Sequence, residues 1–426
     1  MLSIWHGAVR AANRERYAAL AESSDLELTV LAPRRWSAAL PRPLDFERGD
    51  DRDYRVIVAS ARLRRHAAFH IYPRLFSILS AVRPDLIDFY EEPYTLIALL
   101  IAWWRNQFSP GCRLVFTACQ NIAKRYPVPF RQMERYVLRS ADGAMGLNRG
   151  AVEVFRAKGY EGPFEAVPTG IDPARLRRVE VGDLRERLGL NRTTVGYVGR
   201  LVEEKGVATL LEAAAFEEAR GERPEARGEK QEERGEKQEE RGERPEARGE
   251  REEARGKRRE EGGDYQVLIV GDGPEKAALR QRAEELGIAD RVVWVDSVAS
   301  SEVARYLSCM DVLVLPSRTR SHWKEQLGRV LIEAMACEVA VVGSRSGAIP
   351  DVIGDAGLLF EEGDAAGLSA ALDRVLGDAD FRRDLTMRGR RRAEGEFSWA
   401  SIAQRIRSVW QQALDRPPLE IRQRMG

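Results

Sequence analysis

The chain has 426 residues, of which 43% are hydrophobic and 32% are charged, and its formal net charge is +1. Because this length exceeds what one hydrophobic core holds comfortably, two domains are expected. The near-neutral balance excludes the strongly basic class of proteins that bind nucleic acid over their whole surface, and no nucleic-acid partner is expected.

The amino terminus, Met1-Leu-Ser-Ile-Trp-His-Gly7, lacks the basic and long apolar regions of a secretory signal. The longest apolar run, Leu96–Trp104, is much shorter than the ~20 residues that span a bilayer. The four cysteines have no C-x-x-C spacing, so buried thiols in a reducing cytoplasm are expected, and not disulfides or a zinc site. We therefore expect a cytoplasmic protein.

Short apolar runs separated by helical stretches occur through the first 170 residues. These predicted strands are Leu28–Leu31, Val56–Val58, Leu86–Phe89, Leu114–Phe116, Ala144–Leu147 and Glu165–Val167. The stretch Pro168-Thr-Gly-Ile-Asp172 is punctuated by proline and glycine, which predicts a domain boundary there. The first domain is accordingly assigned to residues 1–170.

A second series of strands follows this boundary. It comprises Val195–Val198, Val267–Val270, Val292–Val295, Val312–Leu315, Val339–Gly343 and Gly357–Phe360. Several of these runs are apolar throughout, as in strands that are buried on both faces of a parallel sheet. The strand–helix alternation predicts an α/β fold of two Rossmann-like domains that face each other across a crevice. The second domain is assigned to residues 171–398, and the amphipathic segment Trp399–Leu414 predicts a closing helix within 399–426.

Residues 219–263 differ in composition from the rest of the second domain. Glycine recurs every seventh residue between similar charged blocks, at Gly221, Gly228, Gly235, Gly242, Gly249 and Gly256. This heptad offers no apolar positions for a coiled-coil seam, and glycine and proline weaken an isolated helix. We interpret the segment as a disordered, low-complexity insertion in a surface loop that the fold does not need, with partner binding as the alternative.

Two carboxylates eight residues apart, Glu325 and Glu333, flank the start of a predicted helix near Gly328. Free backbone N–H groups at a helix start suit a diphosphate. A carboxylate within the helix can accept hydrogen bonds from vicinal hydroxyls, as a ribose presents. The spacing alone is equally compatible with an amphipathic core helix that carries one solvated glutamate.

Two further segments follow apolar strands. In the first, the turn at Gly199 lets the backbone approach a ligand closely, and the cations of Arg200 and Lys205 can bind phosphate oxygens. The second, Val270-Gly271-Asp-Gly-Pro274, lacks the spacing of a dinucleotide fingerprint, and the chain contains no P-loop motif. Taken alone, each segment is typical of an ordinary turn.

The order of these motifs along the chain is more specific than any one of them. Gly-Arg-x4-Lys-Gly, Val-Gly-Asp-Gly-Pro, the strand Asp311–Ser317, Glu-x7-Glu and Ser346–Val352 together resemble family 4 of the glycosyltransferases. The resemblance covers nearly the whole chain except the insertion and is densest from Gly196 to Phe360. It implies a retaining, metal-independent enzyme of the GT-B fold, with a nucleotide-diphosphate sugar as donor and with no cofactor.

The resemblance also implies roles for individual residues. Arg200 and Lys205 bind the donor phosphates and stabilise the leaving diphosphate, and Glu325 faces the transferred sugar. Glu333 holds the ribose. The remaining donor-binding positions are residues of glycine loops and of a helix start, namely Gly7, Gly199, Gly271, Leu327, Gly328 and Arg329.

The acceptor side departs from the family pattern. The loop at His6-Gly-Ala8 is poorer in glycine, and Phe116–Asn121 has no histidine where many members carry one. Glu91 and Glu92 either line the crevice or cap a helix. The acceptor itself, a glycan, a lipid-linked sugar or a small molecule, is not readable, and neither is the donor base or sugar.

Basic residues are interleaved with aromatic ones from Arg62 to Phe76 and again at Trp103-Trp-Arg105. This pattern predicts either a peripheral contact with the anionic inner membrane surface or a solvated helix face over core aromatics. Two other function classes remain compatible with the sequence: a GT-B-fold sugar-nucleotide epimerase, and a non-catalytic sugar-binding or interaction protein.

Overall fold

The computed structural model describes residues 1–22, 25–38, 43–63, 65–66, 68–221 and 265–417. The chain divides into two compact units, Met1–Gly170 together with Glu396–Gly426, and Ile171–Gly395. The predicted insertion at 219–263 lies, from residue 222 onward, outside the described residues. Within the described ranges, no helix combines the length and the apolar character needed to cross a bilayer.

The first unit is built on a sheet of seven parallel strands. They are β1 (Leu2–Ile4), β2 (Thr29–Pro33), β5 (Arg55–Ala59), β6 (Leu86–Phe89), β7 (Arg113–Ala118), β8 (Gly143–Gly146) and β9 (Phe164–Ala166), in the spatial order β5-β2-β1-β6-β7-β8-β9. A separate antiparallel ribbon pairs β3 (Arg35–Trp36) with β4 (Leu44–Asp45). Every residue of β1, β2, β6, β7 and β8 is buried, as in a parallel sheet with both faces covered.

Five helices of the first unit lie between these strands in the chain. They are α1 (Ala11–Ala21), α2 (Leu75–Val82), α3 (Leu96–Phe108), α4 (Phe130–Ser140) and α5 (Arg149–Ala157). Side chains cap two of them: Thr95 Oγ1 accepts the Ala98 N–H at 3.4 Å before α3, and Asn148 Oδ1 accepts the Ala151 N–H at 2.9 Å before α5. These bonds satisfy N–H groups that a helix start leaves without a partner, so each helix begins at a defined residue.

The second unit is built on six parallel strands. They are β10 (Thr193–Val198), β11 (Tyr265–Val270), β12 (Val292–Val295), β13 (Val312–Leu315), β14 (Ala340–Ser344) and β15 (Gly357–Phe360), in the order β12-β11-β10-β13-β14-β15. Strand β10 pairs with β11 on one side and with β13 on the other, so the strand order reverses there. Open α/β sheets bind ligands beyond the carboxyl ends of the strands at such a reversal.

The second unit has one helix before its first strand, and its other helices lie between or after the strands. In chain order the helices are α6 (Gly182–Arg187), α7 (Val207–Gly221), α8 (Lys276–Glu285), α9 (Val303–Ser308), α10 (Arg329–Ala336), α11 (Ile349–Ile353), α12 (Ala365–Leu376) and α13 (Ala379–Phe397). Helix α10 begins one residue after Gly328, as the sequence predicts, and Glu325 lies in the loop before it.

The last helix, α14 (Trp399–Leu414), has the predicted bounds and belongs to the first unit. Its buried face, which includes Ile402, Ile406 and Val409, packs into the core of that unit. The indole N–H of Trp399 donates to Glu15 Oε2 at 3.1 Å, so the end of the chain is tied to α1.

The two predicted Rossmann-like sheets are therefore both present, and every predicted strand has a counterpart. The sequence missed β1, β3 and β4. The predicted free thiols are also found, with Cys112, Cys309 and Cys337 buried and Cys119 partly buried.

Candidate functional site

An ion pair brings together two residues that the sequence singled out 120 positions apart. Lys205 Nζ lies 2.6 Å from Glu325 Oε2, and the Ser317 hydroxyl donates to the same oxygen at 2.8 Å. The side chains of Lys205 and Glu325 are only 16% and 8% exposed. The ammonium group also lies 5.2 Å from the centre of the Trp323 ring. The cluster lies beyond the carboxyl ends of β10 and β13, where the strand order reverses.

Two glycines hold the backbone of this cluster. Gly206, with φ +63°, lies so close to the carbonyl oxygen of Pro316 that a Cβ atom would overlap it. Gly347, with φ +54°, lies equally close to the carbonyl of Glu325, which also accepts the Ala348 N–H at 3.0 Å. Since both positions need left-handed backbone and lack room for a side chain, only glycine fits there.

The start of α10 carries four predicted donor-binding positions. Gly328, with φ +70°, precedes the helix, and Leu327 before it is buried. Arg329 is the first helical residue, and its Nε lies 2.9 Å from Glu333 Oε1 one turn later. Burial raises the pKa of Glu333, although the Arg329 guanidinium opposes this shift. The helix start offers backbone N–H groups and positive dipole density beside the loop that carries Glu325.

The loops after β10 and β11 run side by side. The Gly199 N–H donates to Val270 O at 3.0 Å, and a Cβ atom at Gly271 would overlap the Gly199 carbonyl. Gly271 is thus required for contact between two loops, which the sequence could not distinguish from contact with a ligand. Arg200 is exposed, and its carbonyl accepts the Tyr197 hydroxyl at 2.7 Å. Burial raises the pKa of Tyr197 strongly; Glu325 raises it further and Arg200 lowers it.

Gly7 is the one predicted site residue in the first unit. It lies in the helical turn His6–Val9 directly after β1, and a Cβ atom there would be 2.5 Å from the Trp5 ring. The other predicted site residues all lie in the second unit.

The structure excludes one of the two alternatives for Glu91 and Glu92, the helix cap. Helix α3 is capped by Thr95, so neither glutamate side chain is its cap. Glu91 instead accepts hydrogen bonds from His6, and Glu92 Oε1 accepts the Cys119 N–H at 2.7 Å. Burial raises the pKa of Glu92 to about 7.

Within the described ranges, His6, His70 and Glu91 form a group whose three possible metal-ligating atoms lie within 4.8 Å of one another. Glu91 Oε1 and His6 Nδ1 are 2.6 Å apart, however, which is the distance of a hydrogen bond. Two ligand atoms on one tetrahedral zinc ion would lie more than ~3 Å apart. The close approach of His6 and Glu91 is therefore that of a hydrogen bond and not of two ligands of one zinc ion. The sequence did not predict it, because its members come from three separate segments.

Comparison with known proteins finds a family model and curated relatives that match parts of this chain. Residues 253–392 match the family model for glycosyl transferases group 1. The chain is 35% identical over 153 residues to the N-acetyl-alpha-D-glucosaminyl L-malate synthase of Bacillus anthracis, covering 35% of this chain and 38% of that protein. It is 27% identical over 263 residues to the GDP-mannose-dependent monoacylated alpha-(1-6)-phosphatidylinositol monomannoside mannosyltransferase of Corynebacterium glutamicum, covering 60% of this chain and 58% of that protein. The matched part thus spans between 38% and 58% of the length of these relatives.

A solved structure shows the same fold along nearly the whole chain. The Anabaena protein HepE in complex with UDP superposes with a TM-score of 0.67 at 16% identity, covering 96% of this chain and 99% of that one. At this identity the similarity establishes the architecture, and the chemistry has to be argued from the residues.

Proposed function

We propose that this chain, whose residues 253–392 match the family model for glycosyl transferases group 1 and which has the GT-B fold, transfers a glycosyl residue from a nucleotide-diphosphate sugar to an acceptor hydroxyl group. The observation that carries the proposal is the cluster of Lys205, Glu325 and Ser317 just before the start of α10. Retention at the anomeric carbon, and activity without a metal ion or cofactor, are part of the proposal because the motif resemblance implies them.

The proposed chemistry follows from where charge develops. When the nucleoside diphosphate departs, negative charge grows on its phosphate oxygens, and cations or N–H groups fixed in advance lower the barrier. Glu325 neutralises Lys205 in the ion pair, so the net positive charge offered to a diphosphate comes from the exposed Arg200 and from the start of α10. Lys205 then has two roles in the proposal. It holds the Glu325 carboxylate towards the sugar, and it binds a donor phosphate. Glu333 is the proposed ribose-binding residue.

A donor and acceptor screen tests this proposal. UDP- and GDP-sugars are screened by thermal shift, and products formed with myo-inositol, L-malate and alkyl glucosides are analysed by NMR. We expect one donor to raise Tm and its sugar to be transferred with the anomeric configuration kept, with or without EDTA. An inverted linkage would contradict retention, and an isomerised free sugar would indicate an epimerase. Failure of every donor to bind would contradict the proposed activity.

The proposal also includes a peripheral contact of the first unit with an anionic membrane surface, and a lipid-linked acceptor. Four aromatic side chains on or near α2 and α3 are exposed: Phe69 (41%), Phe76 (38%), Trp103 (40%) and Phe108 (64%). The ring of Trp103 lies 5.6 Å from both Phe76 and Phe108, so three of them form one continuous apolar patch. Aromatic side chains beside cations are typical of surfaces that insert into the headgroup region.

The exposed charge of the chain segment that carries this patch is almost entirely positive. Between residues 62 and 140, the exposed cations among the described residues are Arg62, Arg65, Arg74, Arg83, Lys124, Arg125, Arg131, Arg135 and Arg139. Over the same described stretch, Asp85 is the one exposed acidic residue. Arg105, which the sequence grouped with the surface cations, is fully buried and donates to the Ser140 carbonyl, so it is not part of this surface. Such an imbalance suits anionic headgroups.

Vesicle co-sedimentation tests the membrane contact. We expect the protein to sediment with vesicles that contain phosphatidylglycerol, and to bind less at high salt. The variant Phe76→Ser/Trp103→Ser should lose most of this binding. Met387→Ser, which removes an equally exposed apolar side chain (47%) from the second unit, should not. No sedimentation at low salt would contradict the proposed contact.

A further inference from the structure

A small pocket lies within the first unit, and its walls come from α1, α14 and the carboxyl ends of the parallel strands. Arg16 of α1 and Thr117 of β7 line it, together with mostly apolar and aromatic side chains such as Trp5, Tyr90 and Trp399. The pocket has a cavity volume of about 20 Å³. Since one water molecule needs about 10–15 Å³, the pocket admits a group of only a few heavy atoms.

The two polar side chains of this pocket are almost fully buried. Arg16 and Thr117 are 7% and 4% exposed. Among the described residues, no group forms a hydrogen bond with Arg16 Nε or with Thr117 Oγ1. Buried polar atoms are nearly always hydrogen-bonded, because their loss of solvation is otherwise uncompensated. An N–H group and a hydroxyl group that line one pocket and lack partners therefore indicate a ligand that accepts hydrogen bonds.

The guanidinium group of Arg16 is enclosed by aromatic rings and only weakly paired with an acid. Its central carbon lies 5.8 Å, 5.3 Å and 5.5 Å from the ring centres of Trp5, Tyr17 and Tyr90. Its Nη2 lies 3.5 Å from Asp88 Oδ2, which is long for a hydrogen bond. The guanidinium is therefore available to a further anion. Its planar array of N–H donors matches the two oxygens of a carboxylate.

We propose that this pocket binds the carboxylate group of a small molecule, with Arg16 as its charged partner and Thr117 as a second hydrogen-bond donor. The rest of the molecule lies outside, because a volume of about 20 Å³ holds little more than the carboxylate itself. A tetrahedral phosphate group is too wide by the same measure. The site uses residues of the first unit alone and goes beyond the glycosyl transfer proposed above.

Ligand-observed NMR on the full chain tests the site, with formate as the probe and formamide as its neutral counterpart. At constant ionic strength, we expect saturation transfer from the protein to formate and none to formamide. Acetate should displace formate, whereas inorganic phosphate should not. Three results would overturn the inference: no signal from formate, equal signals from formate and formamide, and displacement by phosphate as effective as that by acetate.

Thr117→Val is the most informative variant, because it removes a hydroxyl group without a partner among the described residues and keeps the side-chain shape. We expect it to fold and to weaken formate binding about 10-fold, as the loss of a hydrogen bond to a charged group does. Thr29→Val changes a buried threonine of β2 outside this pocket and should bind formate like the wild type. Arg16→Gln should abolish binding. If Arg16→Gln does not fold, Thr117→Val still decides, since an unchanged affinity there would overturn the inference.

Asp88, the acid that faces Arg16, gives the site a pH dependence. Burial raises the pKa of Asp88 to about 6, although the Arg16 guanidinium opposes this shift. Tyr17 and Tyr90 also face Arg16, but burial raises the pKa of Tyr17 to about 12 and that of Tyr90 well above its ordinary value, so both stay neutral. Below the pKa of Asp88, its carboxyl group is neutral and the full positive charge of Arg16 acts on formate. Formate itself stays ionised there, since an ordinary carboxyl group has a pKa of about 4.

Formate should therefore bind several-fold more tightly at about pH 5.5 than at about pH 8. In Asp88→Asn, which removes the competing charge, the affinity should be high at both values. Tighter binding of formate to the wild type at the higher pH would overturn the inference.

The carboxylate belongs either to a glycosyl acceptor or to a ligand that is not glycosylated. Glycolate and L-lactate, which we expect to displace formate, are incubated with the donor identified in the screen, and the products are analysed by NMR. A glycosylated hydroxy acid would assign the pocket to the acceptor, an unchanged one would assign it to a separate ligand, and both results support the site. The binding experiments use no nucleotide sugar, so their failure is distinct from a failure of the proposed glycosyl transfer.

Discussion

At the scale of single residues, the pair of Lys205 and Glu325 shows what the sequence can and cannot provide. Both were identified because each lies in a motif whose order along the chain is specific. Ser317, whose hydroxyl donates to Glu325, was quoted within the strand motif but received no role. A serine after an apolar strand is common, and Ser317 and Glu325 both lie in the segment that follows β13. Lys205 reaches Glu325 only because β13 pairs with β10, the strand that precedes Lys205. That juxtaposition is set by sheet pairing and not by local sequence.

Lys205→Ala is expected to lower glycosyl transfer by about 100-fold or more, because a fixed cation near the leaving diphosphate is removed. It should also lower the free energy of unfolding by roughly 1–3 kcal/mol, since the buried Glu325 carboxylate loses the cation that is paired with it. Initial rates and urea denaturation measure the two effects. Lys324→Ala, which removes an exposed lysine next to Glu325, is the control and should change neither.

A double variant separates the two roles of Lys205. In Lys205→Ala/Glu325→Gln the buried charge is gone, so much of the lost stability should return while transfer stays low. Turnover at the wild-type rate in Lys205→Ala would show that this lysine does not stabilise the leaving group.

At the scale of secondary-structure elements, periodicity and composition located every long strand and missed β1, an interior strand of the first sheet. Strand β1 has three residues, Leu2–Ile4, too few to show a pattern, yet it pairs with both β2 and β6 and is fully buried. Its conformation is imposed by its two neighbours. The ribbon of β3 and β4 was missed for the same reason, since each of its strands has two residues.

Replacing Gly206, which lies in the loop between β10 and α7, should cost more stability than its positive φ alone would predict. Gly206→Ala meets both the left-handed backbone and the Pro316 carbonyl, and we expect it to cost about 3 kcal/mol or more of stability. Gly287, after α8, has φ +73° but open space around it. Gly287→Ala is the matched control and should cost only about 1 kcal/mol. Equal losses by urea denaturation would contradict the predicted contact with Pro316.

At the scale of the whole molecule, the sequence predicted two parallel sheets, because they depend on a strand–helix pattern that repeats along the chain. It could not predict that Arg105 is buried while Trp103 is exposed, since neighbouring helix residues face different surroundings. Nor could it predict the cluster of His6, His70 and Glu91, which exists only when three loops meet at one sheet edge.

The insertion at 219–263 is the remaining large feature, and its place in the chain predicts the effect of removing it. Helix α7 connects the neighbouring parallel strands β10 and β11; it ends at Gly221, and β11 begins at Tyr265. Deleting residues 222–258 leaves about six residues between the two elements, within the usual range for such a connection. Because the sheet and helix packing fix both ends, the shorter loop should close at a lower entropic cost.

We therefore expect the deletion variant to fold, with a free energy of unfolding equal to the wild type or higher by about 1–2 kcal/mol. Its donor binding and transfer should be unchanged, because the candidate site residues lie outside the deleted segment. A variant with a glycine–serine linker of the original length separates loop length from the charged repeat. If both variants folded but lost activity, the repeat would have a binding role of its own. If only the deletion failed to fold, the domain would need the longer connection.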